Sequence, residues 1–225
     1  MRKSSLEASK IKAVVSYLSG NLPKKPTVAE HLYAFPSRIA DRYANSDRRE
    51  LIVQELADHV GFYLGIIDSA KVQFVEDSKG SFDFQVDQKG NAQGKIVHSF
   101  AGLYSAKHIG ERQITIANES IYRFPNLAAI VAHECTHHYL HIHKIQCDSV
   151  NDEILTDLTA IYLGLGFLLL RGYETFGLSI GYIDNETIKK TIFISSKYRK
   201  WEKVEVKNQF ESYFDKIRLY IYSSL

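Results

Sequence analysis

The stretch "VAHECTHHYLHIHK", residues 131–144, carries five histidines, one glutamate and one cysteine on what otherwise reads as an apolar helix. Histidine is a poor helix former, and burying it costs free energy unless its ring nitrogens find partners. His133 and His137 bracket Glu134 as H-E-x-x-H. Residues four apart on a helix stack on one face, so this spacing aims two imidazoles at one point. Glu134 lies one residue on, turned by about 100°, where it touches a metal-bound water rather than the metal. A catalytic zinc takes three protein ligands and keeps its fourth position for water. The rest of the chain must therefore supply one more ligand.

Two patterns compete for that place. His143 lies ten residues after His133, the spacing used by metzincins, but the turn-forming glycine that pattern needs is here Leu140. On an unbroken helix His143 stands about 15 Å along the axis from His133. The methionine turn of that family is also missing, because the only methionine is Met1. The second pattern follows a short polar loop, "KIQCDSVND", where "NDEILTDLTAIYLGLGF" places Glu153 and Asp157 four apart on one face of an apolar helix. Two buried carboxylates there are costly unless paired or metal-bound. Glu153 as third ligand, with Asp157 accepting the N–H of a ligand histidine, satisfies both. Ala160 and Gly164 continue the same stripe, and Ala129 matches them one turn before His133. These small residues predict close packing of the two helices.

H-E-x-x-H followed by E-x-x-x-D on the next helix resembles the gluzincin metallopeptidases, in a compact form with a short linker between the two motifs. The resemblance covers roughly residues 111–167. It implies a zincin-like fold, with a small antiparallel sheet packed on the active-site helix and a helical C-terminal half. It further implies Zn2+ on His133, His137 and Glu153, Asp157 behind them, and Glu134 as general base. The strand "RQITIA" would be the edge strand of the cleft and hold an extended peptide by adding it to the sheet.

Outside the motif, the pattern of the chain gives an α+β order of helix, sheet, helices. "GNLPKKPT", residues 20–27, reads as a linker after a short amphipathic helix at about 5–18. Helical pieces broken at Pro36 follow, so residues 1–45 form an N-terminal helical extension and 46–225 the metallopeptidase domain. "SDRRELIVQELADHVGFYLG" predicts a helix begun at Ser46 or Asp47, with Leu51, Leu56, Val60 and Leu64 on its apolar stripe. From Lys71 to Ala117 the period falls to two, and "KVQFVE", "SFDFQV", "GKIVHSF" and "RQITIA" predict an antiparallel meander of four strands. Helices are predicted over about 126–143, 152–170, 185–200 and 205–223, the third capped by Asp184 or Asn185.

Composition limits the alternatives. A chain of 225 residues that is 45% hydrophobic can bury a substantial core. A formal charge of +2 gives no overall footprint for nucleic acid or membrane. The basic stretch "SKYRKWEKVEVK" is interleaved with glutamates and reads as a solvated helix end. Two cysteines, Cys135 and Cys147, fit a reducing compartment. The first twenty residues lack the apolar run of a signal peptide, and "LTAIYLGLGFLLL" reads as a buried core helix; both point to a cytoplasmic protein. Cys135 is read as a small core residue and Cys147 as a minor candidate for a soft ligand. His138, His141 and His143 are expected at the surface or the cleft rim.

The function these residues support is a zinc-dependent hydrolase cleaving peptide bonds, with Glu134 taking a proton from the zinc-bound water and passing it to the leaving nitrogen. Tyr182 is the leading candidate for the oxyanion donor, ahead of His98, His108 and Tyr162. Its partner is a peptide or protein substrate. Two alternatives stay open: a non-catalytic, zinc-stabilised binding or regulatory module, and a zinc hydrolase of a non-peptide amide.

Overall fold

The histidine-bearing stretch lies in a 20-residue helix, Phe124–His143 (α4), that is buried along most of its length. Pro125 occupies its first turn, where a missing N–H costs nothing. The Arg123 N–H donates to Asn126 Oδ1 at 2.9 Å, and the helix ends at Lys144 in the left-handed conformation. The computed structural model describes residues 3–23, 31–68, 70–75, 81–86, 92–97, 101–108, 111–118, 122–175 and 178–211.

Before α4 come α1 (Ala8–Asn21), α2 (Ser37–Ala44), α3 (Arg49–Tyr63) and five strands: β1 (Lys71–Val75), β2 (Ser81–Val86), β3 (Ala92–Val97), β4 (Gly102–His108) and β5 (Glu111–Ala117). After it come α5 (Asp152–Ala160), a π-helical turn (Ile161–Leu165), α6 (Gly166–Gly172), the two-residue strands β6 (Glu174–Thr175) and β7 (Leu178–Ser179), and α7 (Asn185–Arg199). A further helix covers 203–211, the described part of the one predicted over 205–223. The architecture is mixed α+β. Around α4 pack α3, α5, α6 and the sheet. α1 buries Ile11, Val14, Val15 and Leu18 in the same core, against α5 and α7.

The sheet differs from the predicted meander. β4 and β5 are antiparallel, but β1 joins β5 in parallel, so the order is β1-β5-β4. β2 and β3 form a separate antiparallel pair. Period-two alternation marks a strand without naming its partner, and here the parallel pairing skips the β2–β3 excursion. β4 was missed because "GLYSAKH" opens on glycine and lacks clean alternation. β5 buries Ile114 and Ile116 completely and is paired on both sides, so it is the central strand rather than the cleft edge. Of the predicted linker at 20–27, Gly20 and Asn21 belong to the end of α1, and residues 24–27 lie outside the described residues, as does the segment 98–100.

Two helical details also depart from the sequence reading. α3 starts at Arg49, and its buried stripe runs through Ile52, Val53, Leu56, Ala57 and Val60; Leu51 is exposed. The close approach of α4 falls at Gly172 of α6, where a β-carbon would collide with Ala129 and the Pro125 carbonyl. Gly164 serves a different purpose. It has φ 100° inside the π turn, kinking the apolar run from Asp152 to Gly172. Its carbonyl accepts from Tyr33 N at 3.1 Å, and the Tyr63 hydroxyl lies 2.8 Å from Leu163 O and 2.6 Å from His31 O. That run is long and apolar enough to cross a membrane by length and composition, and 89% of its apolar 18-residue window is buried inside the protein.

Gly164→Ala combines a forbidden φ with a collision against the Tyr63 hydroxyl. It should cost about 2–4 kcal/mol, read as a fall in melting temperature of roughly 5–15 °C by circular dichroism.

Candidate metal centre

Helix α4 presents His133 and His137 toward α5, whose first turn carries Glu153. α5 is fixed there by Asn151, whose side chain accepts from Ile154 N at 2.8 Å. Glu153 Oε2 lies 3.0 Å from His133 Nε2 and 3.2 Å from His137 Nε2, and the two Nε2 atoms are 3.0 Å apart. Zinc bonds of 2.0–2.1 Å in tetrahedral geometry separate ligand atoms by roughly 3.3 Å. The three atoms thus match one face of such a tetrahedron within a few tenths of an ångström. Among the described residues this is the one His/Cys/Asp/Glu group with the geometry to hold a metal ion.

The remaining ring nitrogens fix the tautomers. His133 Nδ1 lies 2.8 Å from Asp157 Oδ1. A proton donated along that line leaves Nε2 free to ligate. His137 Nδ1 lies 3.2 Å from Thr156 Oγ1, whose own hydroxyl donates to Asp152 O at 2.8 Å. Thr156 can therefore accept from Nδ1, and His137 Nε2 is freed in turn. Asp157 is fully buried and carries two more donors, the Tyr173 hydroxyl on Oδ1 and Tyr182 N on Oδ2 at 3.2 Å. Tyr173 stands 3.3 Å from His133 Nδ1.

Electrostatics follow from this packing. Burial opposes charge on His133, but the hydrogen bond and charge of Asp157, with help from Glu153, raise its pKa to about 10. Burial likewise works against an ionised Glu153, yet its two histidine partners hold it well below the usual carboxylate range. Glu134 is pushed up, chiefly by burial and against the pull of both histidines. It lies beneath β4, where a β-carbon on Gly102 would come within 2.6 Å of its Oε1. The Tyr182 ring stacks on His133 at 5.5 Å between centroids, and its hydroxyl bonds to Glu153. Burial and that carboxylate hold the phenol above its ordinary value.

The geometry brings His133, Glu134, His137, Glu153, Asp157 and Tyr182 together. Tyr173 and Thr156 were not legible beforehand. Tyr173 ends an apolar helix with no spacing signal, and Thr156 reads as an ordinary helical residue. His141 and His143 are exposed, as expected, and neither joins the ligand group. His138 departs from expectation: it is buried under the sheet, stacked on Tyr104 at 5.1 Å, and burial lowers its pKa to about 4. Cys135 is a buried thiol near Ala57 O, pushed up by burial. Cys147 pairs with Ser149 at 3.0 Å and is outside the ligand group. Tyr162 is buried beneath the Arg199 guanidinium. His98 and the His108 side chain lie outside the described residues. Trp201 of the basic stretch is buried. No family model, curated protein or solved structure matches this chain.

Elemental analysis should find about one first-row metal ion per chain after zinc reconstitution, lost in His133→Ala and His137→Ala and strongly weakened in Glu153→Ala. His143→Ala should bind like the parent. Metal entry displaces the proton held on His133, so the affinity should rise with pH. A chain that takes up no metal under any of these conditions would overturn the site.

Proposed function

We propose that this chain is a zinc-dependent hydrolase that cleaves peptide bonds, a compact metallopeptidase of gluzincin type. The observation that carries this reading is the convergence of His133 Nε2, His137 Nε2 and Glu153 Oε2, with Glu134 buried one residue from the first ligand. A zinc ion bound there would polarise the scissile carbonyl and lower the pKa of water.

The chain's own groups supply the rest. Glu134 takes the proton from the attacking water and hands it to the leaving nitrogen. Its raised pKa suits a group that must both accept and give. Tyr182 carries its hydroxyl proton at neutral pH as an ordinary phenol does, and burial with the neighbouring Glu153 carboxylate holds it there more firmly. It can therefore donate to a developing oxyanion beside the ligands. Asp157, with Tyr173, holds His133 in orientation. β4 takes the role first assigned to β5. It is the sheet edge on the metal side, with Gly102 over Glu134, and a substrate backbone would pair along it.

A binding module and a hydrolase of non-peptide amides need the same three ligands. The position of Glu134 favours catalysis over the module, since metal binding alone does not require a buried carboxylate there. Glu134→Gln should keep the metal and the fold while lowering turnover on the order of a hundredfold or more. A proteome-derived peptide library with mass-spectrometric readout supplies the substrate. Equal cleavage by parent and variant would remove Glu134 from the mechanism. Absence of cleavage by the fully metallated parent would favour the module. Tyr182→Phe should lower kcat by about a hundredfold with little change in KM, measured on whichever peptide the library yields.

A further inference from the structure

Four residues near the N-terminus reach the back of the metal centre. Ser4 pairs in parallel with Ile183. Its N–H donates to Tyr182 O at 2.8 Å, and its carbonyl accepts from Asp184 N at 3.2 Å. Leu6 N donates to Thr187 Oγ1 at 3.1 Å, and the Leu6 side chain is buried. Lys3 Nζ donates to Tyr173 O at 3.1 Å and sits 5.5 Å from the centroid of that ring. The Ser5 side chain bonds to Asp184, the cap of α7.

Two of these contacts, from Ser4 and Lys3, fall on the two tyrosines that hold Asp157, and the others fix the turn into α7 beside them. Tyr182 is gripped from both sides: its carbonyl accepts from Ser4, and its N–H donates to Asp157 Oδ2. Gly181, at φ 80°, lies so close to the Tyr173 ring that a β-carbon would overlap it. The loop therefore rests on Tyr173, and Ser4 of the segment Lys3–Leu6 pairs with it along Tyr182–Asp184. α1, buried directly afterwards against α5 and α7, anchors that segment to the helix carrying Glu153 and Asp157.

We propose that Lys3–Leu6 is a positioning strap for the metal centre. It fixes the Tyr182 loop and, through Tyr182 N–H and the Tyr173 hydroxyl, holds Asp157 against His133. Metal affinity then depends on a backbone pairing made by residues remote in sequence from every ligand. This rests on the metal-centre reading above and extends it from the ligands to the N-terminal segment.

The strap differs from a structural tether in what it changes. A tether lowers thermal stability and leaves the metal affinity of the folded protein alone. A strap that orients His133 changes affinity, because partners behind a ligand are typically worth about 10–100-fold in metal binding. The test uses the full chain with zinc in chelator competition and with cobalt(II) followed by its visible spectrum. Ser4→Pro removes the N–H that binds Tyr182 O; Ser4→Ala keeps it. Ser4→Pro should bind zinc about tenfold more weakly and shift the cobalt spectrum, while Ser4→Ala restores both. Thr187→Val, which strips the acceptor from Leu6 N, gives an independent reading through a smaller change in the same direction if Ser4→Pro does not fold. Parent-like affinity and spectrum in folded Ser4→Pro, or in Thr187→Val where it alone folds, would overturn the strap. A parent chain that takes up neither metal would overturn the underlying site before any variant is compared.

Discussion

A carboxylate with no solvent exposure organises this molecule. Asp157 is fully buried, and an ionised group in that position costs several kcal/mol unless donors surround it. Its donors come from three places: His133 on α4, Tyr173 at the end of α6, and the Tyr182 backbone in the loop before α7. Each must arrive within hydrogen-bond distance of a side chain fixed in the middle of α5. The close seat of Gly172 on Ala129 and Pro125 brings Tyr173 into reach, and the backbone pairing at Ser4 and Ile183 sets the loop. The candidate ligand His133 is held by this buried cluster as well as by its own helix.

The second constraint is the division of α4 into faces. His133 and His137 look toward α5, whereas Glu134 and His138, also four apart, look toward the sheet. A rotation of about 100° per residue is enough to point His133 and Glu134 in different directions while keeping them adjacent. The sheet side is tight: Gly102 leaves room for the Glu134 carboxyl and for nothing more. β4 therefore approaches the site through its backbone, which gives the edge strand its place in the proposed chemistry.

The parts legible in the sequence are those governed by local geometry. H-E-x-x-H and the Glu153–Asp157 pair are i,i+4 patterns, and one turn of helix turns such a spacing into proximity. The buried run after Asp157 and the cap at Asp184 were readable for the same reason. What was hidden depends on long-range pairing. Tyr173 meets Asp157 only because α6 folds back on α4. The parallel partnership of β1 and β5 leaves no trace in either strand's alternation. Leu51 fits a helical stripe on paper, but the face that packs is set by the neighbours of Ile52 and Val53. His138 was assigned outward because a histidine-rich turn reads as polar, whereas the sheet covers that face.

The kink at Gly164 has a consequence for the order in which the chain assembles. It directs the Leu163 and Gly164 carbonyls toward Tyr63 and Tyr33, which lie 100 and 131 residues earlier. The two halves of this apolar run can wind independently, but their junction is completed only when α3 and the segment before α2 have docked. Closing so long a loop is entropically slow. Contact order therefore predicts a late-forming joint here, with the site on α5 completed after the N-terminal third of the chain has docked.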